Sequence, residues 1–234
     1  MIHGERSRNM ERHFHQELKE LKEDLLKMGG LVEAAVHNAV SGLVSRDNQL
    51  AERTIKEDEK INTREISIEK KCLELIALQQ PVAADLRFIV SALQIIKDLE
   101  RMGDQAVNIA ERAIILNQEP QVKPFIDLPK MALQVQSMVK DSLDSFVNGD
   151  VKKAKNVCER DDQVDNYNEK MFHELLSIMI KDQTTINRAV YLIIIGRSLE
   201  RIADHATNIA EDVIYMVEAR TIKHHAEEKG ESTL

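Results

Sequence analysis

The chain has 234 residues, 40 acidic against 32 basic side chains, aromatics at 3% with no Trp, eight Gly and four Pro. This excludes a sandwich or barrel, whose strands need aromatic and β-branched residues between frequent turns, and the 43% apolar fraction excludes a chain too polar to fold. A formal charge of −8 repels polyanions, so nucleic acid is not an expected partner.

Cys72 and Cys158 stand alone in the sequence, without the spacing of a disulfide framework or a thiolate zinc site, and fit a reducing compartment. The opening MIHGERSRNMERHFHQ has no apolar signal region, and the longest apolar stretch, AVYLIIIG, is too short to span a bilayer. A cytoplasmic location is therefore expected.

Apolar residues recur every three or four positions from Phe14 to Val44, predicting one long helix in which Gly29 and Gly30 mark a close backbone approach or a bend. A second helix is predicted from Asn48 to Gln79, ended by Pro81, and a third from Ala83 to Asn117. Pro120, Pro124 and Pro129 then mark the boundary between two halves. Beyond it the spacing predicts a helix from Pro129 to Val147, one from Val151 to Ile180, a break over residues 181–185 and a last helix to Ala219. The tail KHHAEEKGESTL lacks apolar anchors and is expected to be disordered.

The halves repeat each other. LERMGDQAVNIAE, from Leu99, and LERIADHATNIAE, from Leu199, agree at nine of thirteen positions without a gap. Upstream, an offset of 103 places Asp47 on Asp150, Asp58 on Asp161, Glu59 on Asp162 and Asn62 on Asp165. Amphipathic helices must bury their stripes against others, so the expected fold is all-α: two tandem three-helix bundles about a pseudo-twofold axis. The first covers residues 1–122 and the second 123–225, with 226–234 as a tail.

Glu100, Asp104, Asn108 and Glu111 fall within about 80° of one another on a helical projection, overlapping the apolar stripe of Ile89, Leu93 and Ile96. Glu200, Asp204, Asn208 and Glu211 repeat this. Carboxylates four residues apart beside an apolar face repel one another and lose hydration, which favours a bound cation. The preceding helices offer Asp58, Glu59 and Asn62 in the first half and Asp161, Asp162 and Asp165 in the second. An all-oxygen set suits magnesium, manganese, iron or calcium, with zinc less favoured. The same acids can instead pair with Arg101, Arg201, Lys97 and Arg197 as ordinary salt bridges. Glu111 and Glu211 read as outer or surface groups, Asn108 and Asn208 as interhelical hydrogen-bonding residues, His205 as an exposed histidine, and Lys70 and Lys71 as a solvated face. No nucleophile elbow, phosphate-binding loop or HExxH motif occurs, nor any Glu with a His three residues later.

KMGGLVE, QQPVAADLRFIVSAL and the paired LERxxDxxxNIAE repeats resemble the PhoU family of phosphate-signalling regulators over nearly the whole chain. The resemblance implies a cytoplasmic, usually dimeric, all-α adaptor that binds metal ions, whether iron, manganese, magnesium or zinc, at E(D)xxxD motifs. These match Glu100 with Asp104, Glu200 with Asp204, and Asp161 with Asp165. In the first half Asp58 is followed by Asn62 where a second acid would stand, so a weaker first site is expected, with Glu59 the residue best placed to replace the missing charge. The resemblance also implies repression of the phosphate-starvation response by coupling the ATPase subunit of a phosphate ABC transporter to a membrane sensor histidine kinase. An adaptor is expected rather than an enzyme, because the residues show no activated nucleophile or acid/base dyad. A carboxylate-cluster metalloenzyme and a metal-storage bundle are the alternatives.

Overall fold

The structure, a computed structural model, describes residues 2–219, and side chains from residue 12 onward. Seven α-helices and one 3₁₀ turn make up the described chain. Helix α1 (Ile2–Val44) is followed by α2 (Asn48–Gln79) and α3 (Ala83–Asn117); then come α4 (Asp127–Asn148), α5 (Val151–Glu159), α6 (Asp161–Lys181), the 3₁₀ turn Gln183–Thr185 and α7 (Ile186–Glu218). The tail expected beyond residue 225 lies outside the described residues.

Local chemistry accounts for the ends. Asp47 accepts a hydrogen bond from the Leu50 N–H at 3.0 Å to cap α2, and its repeat counterpart Asp150 accepts from the Lys153 N–H at 3.0 Å to cap α5. Gln80, in the left-handed region at φ 48°, closes α2 just before Pro81, and Gly149 at φ 65° closes α4. Helix α1 starts twelve residues before Phe14, because the upstream turns are rich in helix-forming polar residues that carry no apolar rhythm to read.

The predicted helix from Val151 to Ile180 is in fact two. Arg160 interrupts it, its N–H bonded back to the Val157 carbonyl at 3.1 Å in a tight turn. The Arg160 guanidinium there donates to Asp141 Oδ2 at 2.7 Å and Ser137 Oγ at 3.0 Å on α4.

Helices α1, α2 and α3 pack together, and α4, α5, α6 and α7 do the same. The halves meet along α3 against α7 and α1 against α4, so each helix of the seam faces its own repeat counterpart, as a pseudo-twofold requires. Helices α3 and α7 run antiparallel: Arg87 near the start of α3 donates to the Met216 carbonyl near the end of α7, and Arg188 near the start of α7 donates to the Pro120 carbonyl just past α3. Leu99, Met102, Ala106 and Ile109 meet Leu199, Ile202, Ala206 and Ile209 in one core that runs through both halves. Phe88 of the first half stacks on Phe146 of the second at 4.8 Å between centroids. At Gly29 a Cβ would stand 2.0 Å from Leu143 Cδ1, so this glycine admits a side chain of α4 rather than a close backbone, whereas a Cβ at Gly30 would meet nothing within 4 Å. Cys72 and Cys158 are packed in this framework, and burial pushes their thiols up to about 12 and about 11, away from thiolate chemistry. Among the described residues no helix is long and apolar enough to cross a membrane.

Candidate metal centres

One acidic cluster sits in each half, between α2 and α3 in the first and between α6 and α7 in the second. In the first, Asp58 and Asn62 of α2 face Glu100 and Asp104 of α3. The Asn62 amide donates to Asp58 Oδ2 at 3.1 Å, leaving Asp58 Oδ1 and Asn62 Oδ1 buried without a hydrogen-bond partner. Gly103 lets this acid lie against α3, since a Cβ there would come within 3.0 Å of Asp58 Oδ1. Burial raises the Asp58 carboxyl, the Asn62 amide opposes that, and Asp104 and Glu59 add repulsion. Glu100 is also raised, by burial first, then Asp104, with Glu65 and Asp58 contributing and Arg101 opposing. Arg101 reaches Glu100 and Asp104 at 3.5 Å each but is largely exposed, so this is a weak surface pairing.

In the second cluster Asp161 and Asp165 of α6 meet Glu200 and Asp204 of α7. Asp161 Oδ1 is buried and unpartnered, the same atom at the same repeat position as Asp58 Oδ1. Its carboxyl is pushed up to about 6, by burial first and then by Asp165, Asp204, Asp162 and Glu200. Glu200 is raised by burial and by Asp165 and Asp204; Asp165 and Asp204, at the solvent edge, are raised by what burial they have and by neighbouring acids. The Asn168 amide donates to Glu200 Oε2. Gly196 makes room for it, for a Cβ there would meet Asn168 Oδ1 at 2.6 Å and Met171 Cε at 2.2 Å.

Asp58, Asn62, Glu100 and Asp104 thus lie on facing helices in the first half, and Asp161, Asp165, Glu200 and Asp204 in the second. Among the described residues no group of three or more His, Cys, Asp or Glu side chains is drawn in closely enough to hold a metal ion. The donor chemistry nonetheless fits a hard cation: oxygen-only ligands, mutually raised carboxyls, and a buried unpartnered oxygen at the equivalent place in each half.

Other residues resolve differently. His205 is half-buried rather than exposed, its Nδ1 2.8 Å from Asp98 Oδ1 across the seam, with the Asn208 amide donating to the same oxygen at 3.4 Å. Asn208 therefore bridges helices, whereas Asn108 accepts from Arg112 on its own helix. Glu111 pairs with Arg112 on the surface. Lys71 is no solvated residue but ties α2 to Glu20 and Asp24 of α1, at 3.3 and 3.2 Å. Asn168 and Gly196 carry no signal in the acid spacing, although the offset of 103 continued one turn past Asp165 pairs Glu65 with Asn168.

The PhoU domain model matches twice, at residues 25–113 and 128–213. A phosphate-specific transport system accessory protein PhoU homolog from Aquifex aeolicus is 46% identical over 217 residues, covering 92% of this chain and 98% of that one. Another from Clostridium acetobutylicum is 39% identical, covering 89% of this chain and 96% of that one. The crystal structure of PhoU from Pseudomonas aeruginosa superposes with a TM-score of 0.85 at 40% identity, covering 88% of this chain and all of that one. That of the phosphate transport system regulatory protein PhoU from Streptococcus pneumoniae gives 0.82 at 33% identity, covering 89% of this chain and 98% of that one. With the domain model matching both halves and relatives this similar along most of their length, the chain belongs to the PhoU family.

Proposed function

We propose that this protein is a cytoplasmic, metal-loaded adaptor of phosphate transport. It represses the phosphate-starvation response and phosphate uptake when phosphate is plentiful, by coupling the ATPase subunit of a phosphate ABC transporter to a membrane sensor histidine kinase. It works as a homodimer, reaches the membrane through its partners alone and binds no nucleic acid. The names of its relatives, accessory and regulatory proteins of phosphate transport, support an adaptor over an enzyme or a metal store. We place the division of the chain at residues 122/123, between the two family-model matches.

The observation that carries metal binding is the pair of orphaned oxygens, Asp58 Oδ1 and Asp161 Oδ1. Leaving a buried acceptor unpartnered costs about 1–3 kcal/mol, and here the same cost recurs in both halves beside other raised acids. Asp58, Asn62, Glu100 and Asp104 hold one site; Asp161, Asp165, Glu200 and Asp204 hold the other. The ion, iron, manganese, magnesium or zinc, supplies positive charge that relieves the repulsion. The chain's part is to fix α2 on α3 and α6 on α7 so that carboxylates from two helices converge. Loading then stiffens each helix pair, and stiff helical faces are what partners read.

The test joins two measurements. Elemental analysis of protein purified without chelator is expected to find bound metal that is lost on chelation and in Asp58→Asn/Asp161→Asn. Deleting the gene is expected to switch on phosphate-starvation genes in high phosphate; unchanged expression there would overturn the regulatory reading.

A further inference from the structure

The seam between α1 and α4 has two ends related by the repeat, and the chain fills only one of them. The helices run antiparallel: Lys22 of α1 donates to the Val147 carbonyl near the end of α4, while the last turns of α1 lie against the first turns of α4. At the filled end Leu143 takes up the space over Gly29. The offset of 103 puts Val40 on Leu143 and Gly29 on Ala132, so at the other end a shorter side chain faces a residue that has a Cβ. There Val40, Ser41 and Val44 of α1 and Ala132 and Leu133 of α4 line an open groove of about 270 Å³.

Charge differs between the ends in the same sense. Glu33, Lys140 and Asp144 stand together at the filled end, whereas their counterparts at the open end are Gln136, His37 and Ser41. Over residues 28–45 α1 carries one carboxylate, the half-buried Glu33, and no Lys or Arg, in a chain in which 31% of residues are charged; α4 carries no such residue over 131–139. Leu133 is 64% exposed beside the groove, and its counterpart is Gly30. The open end therefore presents an apolar projection and an apolar hollow together, on an uncharged face.

This combination suits a second copy of the chain. Two chains of formal charge −8 repel, so they meet best where that charge is withdrawn, and a strongly charged partner finds no charged residues here to hold it. A twofold contact also needs one patch to carry both the projecting group and its receptor. The uncharged stretch of α1 is about 27 Å long and two neighbouring helices are about 20 Å across, a footprint of roughly 500 Å² per copy, near the lower limit for a specific interface. Resting on the homodimer reading above, we infer that the open end of the α1–α4 seam is the twofold interface, with Leu133 of each copy seated in the groove of the other. Neither acidic cluster has a member on α1 or α4, so both stay uncovered in this dimer.

The experiment is sedimentation equilibrium of the full chain, with far-UV circular dichroism confirming the fold of each variant. The parent is expected to be a reversible dimer with a Kd on the order of micromolar, as a small footprint implies. Leu133→Glu is expected to weaken it by about a hundredfold or more, since a twofold contact carries every substitution twice. Ser41→Asp, which writes the filled end's charge into the open end, is expected to weaken it by about tenfold. Leu176→Glu, which charges an apolar side chain 39% exposed on α6, is expected to leave association unchanged. Unaltered association of Leu133→Glu, or an equal loss in Leu176→Glu, overturns this inference and leaves the homodimer reading standing. A parent chain that stays monomeric up to roughly 100 µM overturns both.

Discussion

In the first half the helix carrying Asp58 runs unbroken for 32 residues, while in the second the matching stretch is cut at Arg160, one residue before Asp161. The counterpart of Arg160 is Glu57, which lies on the surface of its own helix between Arg53 and Lys60. Arg160 instead turns inward to Asp141 and Ser137. One difference between the halves thus moves a charged side chain from a pairing within its own helix to an anchor on a neighbouring helix, at the residue where the helix is interrupted. The core position at Val164 and the site position at Asp161 stay aligned with Ile61 and Asp58, so the difference shows what the repeat must keep: buried register and facing acids, not helix continuity.

The comparison is most severely tested at the seam. Phe146→Ala removes the ring that stacks on Phe88, and is expected to cost about 3–5 kcal/mol. Because one core runs through both halves, chemical denaturation followed by circular dichroism is expected to show a single transition for both the parent and the variant. Two separated transitions would show halves that fold independently. At the break itself, Arg160→Ala is expected to cost about 1–2 kcal/mol, since it removes the half-buried guanidinium bonds to Asp141 and Ser137 and leaves Asp141 only the longer contacts of Ser137 and Lys153. Glu57→Ala, its counterpart, is expected to change stability by less than about 0.5 kcal/mol, as for an exposed helix pair. Equal losses from the same denaturation experiment would mean that Arg160 is no anchor.

The smallest effect concerns charge. Asp161 is held at about 6 in the folded chain, above the roughly 3.9 of an unstrained aspartate. The folded state therefore keeps a proton that the unfolded state has released. Without metal, the contribution of this group to stability is full below about pH 4 and is lost as pH rises through about 6. Asp161→Asn removes the penalty: in chelator its melting temperature is expected to match the parent near pH 4 and to exceed it by roughly 2–4 °C at pH 7.5, after discounting for partial solvent exposure. A difference between variant and parent that stays the same at those two pH values would contradict it.

Most helix positions were legible because apolar periodicity, capping aspartates and prolines act within a few residues of one another. Asn48, Gln79, Ala83 and Asn117 all bound helices where the spacing placed them. The repeat disclosed the two bundles and the pairing of acidic positions between them, since duplicated acids on an apolar-flanked face leave a mark that chance does not. What the sequence could not disclose depends on contacts between distant segments. The anchoring of Arg160 depends on Asp141 on another helix, the half-buried His205 on Asp98 a hundred residues away, and the bond of Asn168 on Glu200 of the facing helix. A side chain's preference is local, but its burial and its partners are set only once the helices have packed.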